Sequence, residues 1–201
     1  MTAIQITDLR KTYGSINALD GLTLAVETGT VFGFLGPNGA GKSTTLRILT
    51  GLARPTSGQA QIAGVDITRR GEIARRIGYL PEEPAFYGWM NPAEFLDHVA
   101  RTFGMNAAQR KVRAAELLAQ VGLSDVSKRR IAGFSRGMRQ RLGLAQAMIN
   151  HPAVLLLDEP VSALDPVGRK EVLQAIQTMR GQTTIFMSTH ILADVERVCD
   201  T

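Results

Sequence analysis

The sequence has almost nothing that would cross-link a fold and no segment that would cross a membrane. Cys199 is the single cysteine among 201 residues, which excludes an internal disulfide framework. The three histidines, at positions 98, 151 and 190, show no metal-ligand spacing. The longest purely apolar run, residues 153–157, is far shorter than the ~20 residues that span a bilayer, and the N-terminus lacks a secretion signal. We therefore expect one soluble, cytoplasmic domain with a hydrophobic core.

Aromatic residues are also scarce, and the charge is only moderately basic. Aromatics make up 5% of the chain, which leaves few side chains to stack on nucleic-acid bases. The net charge of +5 suits phosphates, anionic lipids or nucleic acid equally well. Basic clusters at 69–70, 75–76 and 128–130 are more typical of solvated faces than of binding patches. We expect no nucleic-acid partner.

Hydrophobic periodicity predicts an α/β fold. Alternating stretches at 4–9, 22–26 and 59–67 are typical of short strands. The apolar run 31–35 predicts a buried strand, and a glycine-rich loop at 36–41 and a helix from about Lys42 follow it. The first third of the chain therefore predicts antiparallel strands and then a strand, loop and helix in order.

From about residue 88 the pattern becomes helical and later returns to alternation. Asn91 can cap a helix with Glu94 completing a capping box, and a second helical segment contains Glu116. Beyond residue 150 the pattern predicts strands at 153–158 and 183–188 with a helix at 166–179 between them. We expect a core at about 1–87 and 151–201, with a mainly parallel sheet and an N-terminal antiparallel β portion, and an inserted α-helical subdomain at about 88–150.

The glycine-rich loop satisfies the phosphate-loop pattern in its required strand-to-helix context. Glycines let backbone N–H groups surround the phosphates, Lys42 reaches the β- and γ-phosphates, and Ser43 is a magnesium ligand. The alternative is a chance glycine-rich turn, which the preceding buried strand disfavours. The predicted nucleotide contacts are Gly36, Pro37, Asn38, Gly39, Ala40, Gly41, Lys42, Ser43 and Thr44.

Two carboxylates end the predicted strand at 153–158, where ligands bind in open α/β sheets. Asp158 can hold Mg²⁺, and Glu159 can orient or deprotonate a water that attacks the γ-phosphate. The alternative is an acidic turn that merely ends a strand, but it would have to coincide with a phosphate loop elsewhere in the chain. The two motifs together predict a P-loop NTPase (RecA-like) core that uses Mg²⁺, but by themselves they fit many nucleotide hydrolases.

Further motifs resemble those of the ABC ATPase family, in the family's order. Tyr13 resembles the aromatic residue that stacks on adenine, although a strand-end tyrosine is also common. The segment 134–138, Phe-Ser-Arg-Gly-Met, resembles the signature loop, and 139–148 resembles the signature helix. The segment Ser162-Ala163-Leu164-Asp165 resembles the loop after the catalytic glutamate, and His190 resembles the switch histidine, although a lone histidine is more often structural. The resemblance implies a catalytic set of Lys42, Glu159 and His190.

The chain departs from the common family pattern at two places. Glu82 occupies the position where most members carry glutamine, and a carboxylate there can still bind magnesium. Arg136 and Met138 replace the commoner glycine and glutamine of the signature loop. These variants resemble the ABC-2-type exporter ATPases, the branch of drug, antibiotic, lipid and cell-envelope export.

The resemblance implies a head-to-tail pair of chains in which Ser135, Gly137 and Asp165 act in trans on ATP bound by the other copy. It also implies integral-membrane permease subunits as partners, and a place at the inner face of the cell membrane. Because the family domain continues beyond the switch histidine, we expect the C-terminal end to be truncated.

Two other interpretations stay open at this stage. A non-transport ABC protein that clamps DNA or ribosomes is disfavoured by the absence of a coiled coil or a second cassette. A regulatory module that no longer hydrolyses ATP is disfavoured by the intact Lys42, Asp158, Glu159 and His190.

Overall fold

The computed structural model describes residues 1–162 and 164–201, so Ala163 of the predicted loop after Glu159 lies outside the described residues. The described part forms two β-sheets with helices packed against them. The strands are β1 Thr2–Tyr13, β2 Ile16–Glu27, β3 Val31–Leu35, β4 Ser57–Ile62, β5 Val65–Asp66, β6 Ile77–Leu80, β7 Val154–Asp158 and β8 Thr184–Thr189. The helices are α1 Lys42–Leu49, α2 Arg70–Arg76, α3 Pro92–Thr102, α4 Ala107–Gln120, α5 Arg136–Ala147, α6 Pro166–Thr178 and α7 Leu192–Val198.

The first sheet is antiparallel and has the order β2-β1-β4-β5. Ile4 and Ile6 of β1 are fully buried, because alternate side chains of a strand point to the same face. An irregularity in the register between Ile6 and Leu9, where Asp8 has a φ of 45°, brings Leu9 into the same core. The predicted single strand at 59–67 is wrong. The backbone turns at Ala63 and Gly64, where φ is 48° and 74°, and divides the segment into the hairpin of β4 and β5.

The second sheet is parallel and has the order β3-β8-β7-β6, which confirms the predicted α/β class. Every residue of β7 and β8 is buried, as expected for a parallel sheet that is covered on both faces. The register aligns Asp158 with Ser188 and Leu35 with Thr189. The loops that follow β3, β6, β7 and β8 therefore leave the sheet at one edge, and this edge gathers the predicted site residues.

The helices cover the two faces of the parallel sheet differently. Helix α1 lies between the two sheets, where Leu46, Ile48 and Leu49 are fully buried. Helices α3, α4 and α5 form a core with the opposite face of the parallel sheet, so the helical insert shares its core with the sheet rather than building one alone.

The start of the insert follows the predicted capping box. The Asn91 side chain accepts a hydrogen bond from the backbone N–H of Glu94, and the Glu94 carboxylate accepts one from the N–H of Asn91. The predicted start of α3 is thereby confirmed. Within the described residues, no helix combines the length and the apolar character that a membrane span needs.

Candidate nucleotide site

The loop between β3 and α1 requires glycine at position 41. Gly39 and Gly41 have φ of 86° and 85°, in the left-handed region that glycine adopts readily. A Cβ on Gly41 would also lie 2.4 Å from the carbonyl oxygen of Ala18. The β2 segment therefore packs directly on the loop, and α1 begins immediately afterwards with its free N–H groups next to the loop.

Lys42 is held beneath this loop. Its side chain is 6% exposed, and its Nζ donates hydrogen bonds to the carbonyl oxygens of Gly36 at 2.7 Å and Pro37 at 3.0 Å. The same Nζ lies 3.2 Å from Oε1 of Glu159. The ammonium group is therefore fixed at the mouth of the loop, with one carboxylate as its counter-charge.

Asp158 is joined to the phosphate loop and to β8 by hydroxyl groups. Its Oδ1 accepts hydrogen bonds from Ser43 Oγ at 3.0 Å and from Ser188 Oγ at 2.8 Å. Burial, with a smaller contribution from the Asp158 charge, raises the pKa of the neighbouring Tyr79 to about 12. The Tyr79 phenol therefore stays neutral, and Asp158 contributes the local negative charge.

Glu159 has an unusual backbone for a residue with a side chain. Its φ is 45°, a conformation that non-glycine residues adopt rarely and that recurs at functional sites. Its backbone N–H donates to Ser188 Oγ at 3.0 Å, and its Oε2 lies 2.9 Å from Nδ1 of His190. Among the described residues no donor is aligned with Oε1, although the Lys42 ammonium is close. This buried oxygen therefore has the Lys42 ammonium as its neighbour and can still accept a hydrogen bond from a ligand or a water.

Lys42, Glu159 and His190 line one cavity of about 370 Å³ at the carboxyl edge of the parallel sheet, and Asp158 lies behind Ser43 of its lining. Glu82 reaches this cavity from the loop after β6, and its Oε1 accepts a hydrogen bond from Ser162 Oγ at 3.2 Å. The predicted site residues that line the cavity are Asn38, Gly39, Gly41, Lys42, Ser43, Thr44, Glu82, Glu159 and His190.

Tyr13 lies beside the cavity but does not line it. It ends β1 and pairs with Ile16, which does line the cavity. The Tyr13 side chain is 46% exposed, and Lys11 Nζ lies 4.6 Å from its ring centroid in a cation–π contact. One face of this ring is therefore covered, so a stacked base would use the other face or displace Lys11.

The residues predicted to act in trans lie outside the cavity. Ser135 is exposed and caps α5, with its Oγ accepting the N–H of Met138 at 3.2 Å. Asp165 caps α6 in the same way, with Oδ1 accepting the N–H of Gly168 at 3.2 Å. Gly137 is buried against Gly168, so the two capped helix starts are neighbours. Within the described part of the chain, these three residues lie apart from the phosphate loop and form no shared site with it.

The residues of the cavity suit a hard divalent cation. The Ser43 hydroxyl and the Asp158 carboxylate already converge at 3.0 Å, and both are oxygen ligands of the kind that Mg²⁺ prefers. Across residues 1–162 and 164–201, no three histidine, cysteine, aspartate or glutamate side chains converge as a complete protein-only metal site. A magnesium ion that takes its remaining ligands from water and phosphates fits this donor set.

Comparison with known proteins identifies the fold and the motifs together. The profile of the family described as "ABC transporter" matches residues 19–162. The chain belongs to the ABC transporter family. This ABC domain is 45% identical over 98% of its length to an uncharacterized ABC transporter ATP-binding protein of Bacillus subtilis. It is also 44% identical over 99% of its length to a bacitracin transport ATP-binding protein of Bacillus licheniformis. In both comparisons it spans 65% of the relative's length.

A solved structure supports the same assignment. An ATP-binding cassette described as a dimer in a post-hydrolysis state, bound to ADP and Pi, superposes on the ABC domain with a TM-score of 0.86. The match covers 97% of this chain and 91% of the other at 25% identity. The predicted P-loop NTPase fold of the ABC type is confirmed by this likeness and by the family match.

Proposed function

We propose that this ABC domain hydrolyses ATP and drives an exporter in the membrane. The observation that carries the first part is the cluster of Lys42, Glu159 and His190 at the phosphate loop. Glu159 touches both of the other residues, with Oε1 3.2 Å from Lys42 Nζ and Oε2 2.9 Å from His190 Nδ1. A carboxylate that can exchange a phosphate-binding cation for a water is suited to orient that water.

The roles follow from the contacts. The Lys42 ammonium pairs with Glu159, and the phosphate oxygens of a bound nucleotide would replace this partner by stronger charge-assisted hydrogen bonds. The Glu159 carboxylate would then be released toward the attacking water and take its proton. His190, still hydrogen-bonded to Glu159 Oε2, would hold that carboxylate in place and face the γ-phosphate.

Ser43 and Asp158 would hold Mg²⁺, with Glu82 as a further oxygen ligand at the rim. The ion would neutralise charge on the phosphate oxygens of ATP. The nucleotide contacts are proposed for the whole loop from Gly36 to Thr44 and for Tyr13, with its uncovered ring face.

The proposal also assigns different roles to the core and to the helical subdomain. The core at about 1–87 and 151–201 would bind the nucleotide, and the helical subdomain at about 88–150 would carry Ser135 and Gly137 to the second copy. Asp165, from the core, would face that copy as well. The dimeric cassette that resembles this chain supports the pairing.

An exposed aromatic surface on the insert supports a membrane-protein partner. Tyr87 and Trp89 are 51% and 65% exposed, and their ring centroids lie 5.9 Å apart. Beside them a mainly apolar groove is lined by Phe86, Phe95 and Val99. The relative named for bacitracin transport supports export as the process. The domain would therefore lie in the cytoplasm, at the inner face of the membrane.

Phosphate release from Mg-ATP tests the hydrolysis. We expect activity in the wild-type chain and at least a hundredfold lower kcat for Glu159→Gln, because an amide cannot accept the proton from water. Glu196→Gln, an exposed position on α7, is the matched control and should keep its activity. An active Glu159→Gln would remove Glu159 as the base.

Co-expression with a membrane protein that spans the bilayer several times and is encoded by a neighbouring gene tests the export proposal. We expect the pair to co-purify and ATP hydrolysis to rise in the complex. Trp89→Ser should reduce co-purification and leave hydrolysis by the isolated chain unchanged. Stimulation by DNA or ribosomes instead would contradict an exporter.

A further inference from the structure

Helix α5 presents one side to the loop that carries Glu82. Its residues Arg136, Gln140 and Gly143 are spaced as i, i+4 and i+7, so they lie on the same face of the helix. All three contact residues in the segment 80–84, which leaves the parallel sheet at the end of β6. This face is therefore the support on which the loop rests.

The three contacts differ in strength and direction. Arg136 lies 3.7 Å from Glu83, but both side chains are largely exposed, and such pairs contribute little. Gly143 allows close approach, since a Cβ there would lie 2.5 Å from Cδ1 of Leu80. Only Gln140 supplies a directional bond, because its Nε2 donates to the carbonyl oxygen of Glu82 at 2.6 Å.

A glutamine at position 140 lowers the stability of the fold. Its side chain is 1% exposed, and its Oε1 has no hydrogen-bond partner among the described residues. An apolar side chain of similar size would avoid this uncompensated burial, so stability alone does not explain a glutamine here. The hydrogen bond from the amide to the Glu82 carbonyl oxygen explains the glutamine better.

Both the backbone and the side chain of Glu82 are hydrogen-bonded. Gln140 binds its backbone carbonyl, and its carboxylate accepts a hydrogen bond from Ser162 Oγ at the rim of the phosphate cavity. Because β6 ends at Leu80, the ladder of the sheet does not fix residues 81–84. The hydrogen bond from α5 therefore holds the Glu82 backbone, and through it the point from which the carboxylate extends toward Ser162.

We propose that Gln140 is a positioning residue that sets the contact of Glu82 with Mg-ATP, an inference that rests on the proposed function.

Calorimetry of ATP binding by the full chain, with and without Mg²⁺, tests the proposal. Gln140→Met keeps the length of the side chain and removes the donor. We expect ATP affinity in EDTA to stay within about twofold of wild type, because the phosphate loop is untouched. The Mg²⁺ concentration that half-maximally tightens ATP binding should rise about fivefold, as expected for one lost hydrogen bond. Leu144→Met, another buried position on α5, is the control and should change neither quantity.

A second variant gives a reversible signature. The buried carboxyl of Gln140→Glu can donate to the Glu82 carbonyl only when it is protonated. We expect its Mg²⁺ dependence to approach that of wild type near about pH 5 and to worsen near about pH 8, while Gln140→Met stays equally impaired at both. This readout also applies if Gln140→Met unfolds.

The outcomes separate this inference from the proposed function. Unaltered Mg²⁺ dependence in Gln140→Met, or an equal loss of affinity with and without Mg²⁺, overturns the positioning role. A pH-independent Gln140→Glu overturns it as well. A wild-type chain that binds Mg-ATP without hydrolysing it contradicts the hydrolysis proposal and leaves the Gln140 measurement valid.

Discussion

At the scale of single residues, the two acidic side chains that end β7 are held by contacts with α1, β8 and the residue that follows β8. Asp158 and Glu159 were predicted as a pair, yet their side chains face different partners. Asp158 binds the two serine hydroxyls, while Glu159 binds Lys42 and His190. Ser188 was not predicted as a site residue, although it donates to Asp158 and accepts from the backbone of Glu159. A serine in a buried strand has no signal by itself, because its role depends on the neighbouring strand.

The first residue-scale prediction concerns Lys42. Lys42→Ala removes the cation that faces the β- and γ-phosphates, so we expect ATP affinity to fall by more than about tenfold. It also leaves the Glu159 carboxylate, 7% exposed, without its counter-charge. Calorimetry measures the affinity, and the control Lys128→Ala, an exposed position in the insert, should bind ATP as wild type. Equal affinities in both variants would exclude this loop as the phosphate site.

At the scale of elements, segments marked by an apolar run or a capping motif were predicted well, and short segments without such a mark were missed. Strand β3 and the capped start of α3 agree with their sequence patterns. Helix α2, strand β6 and helix α7 were not predicted, since they contain only seven, four and seven residues. Four or seven residues show too little periodicity to separate helix from strand, so tertiary packing decides their structure.

Close packing of β6 gives a prediction for two glycines. A Cβ on Gly78 would lie 1.9 Å from the carbonyl oxygen of Ala147, whereas one on Gly71 in α2 would meet no atom within 4 Å. We expect Gly78→Ala to lower the free energy of unfolding by about 2 kcal/mol or more. Gly71→Ala should raise it by about 0.5–1 kcal/mol, because glycine is a poor helix former. Urea denaturation measures both, and a tolerated Gly78→Ala would mean that α5 can move away from β6.

The contact between α3 and α4 gives a pH-dependent prediction. The hydrogen bond from Arg110 Nε, 2.6 Å from Asp97 Oδ1, is the main cause that holds the pKa of Asp97 below its usual value. Because the folded state lowers this pKa, its contribution to stability is present above the unfolded pKa of about 4 and is lost as the pH falls through the folded value. We expect Asp97→Asn to cost about 1 kcal/mol at neutral pH.

That difference between wild type and Asp97→Asn should shrink as the pH falls from about 5 to about 3. Chemical denaturation across this range measures it, with Asp125→Asn, exposed in the same insert, as the control. A difference that stays constant with pH would show that the loss comes from packing and not from the charge of Asp97.

At the scale of the whole molecule, the arrangement separates two halves of the predicted site. Parallel strands bring the phosphate loop, Asp158, Glu159 and His190 to one edge. Ser135 and Asp165 cap helices outside the cavity. The family resemblance implied this separation, whereas periodicity alone could not predict it, because it arises from where α5 and α6 begin in space. A second copy is the simplest way to bring Ser135 to a bound nucleotide.

The proposed dimer can be trapped. Glu159→Gln keeps the shape of the side chain but removes the base and the ion pair with Lys42, so ATP should persist and hold two chains together. Sedimentation should give a dimer for Glu159→Gln with ATP and a monomer without it, while wild type stays largely monomeric as it turns ATP over.

Ser135 supplies the matched test of the trans contact in the Glu159→Gln background. Asparagine and aspartate both preserve the cap of α5, but only aspartate places a negative charge against the triphosphate of the other copy. Like-charge repulsion in a partly desolvated interface costs several kcal/mol, so Ser135→Asp should abolish the dimer, whereas Ser135→Asn should leave most of it intact. Because the two variants differ by one charge and share the cap, a change in helix stability cannot account for a difference between them. A Ser135→Asp protein that still dimerises with ATP would place Ser135 away from the bound nucleotide, and a Glu159→Gln protein that stays monomeric at saturating ATP would remove the paired site altogether.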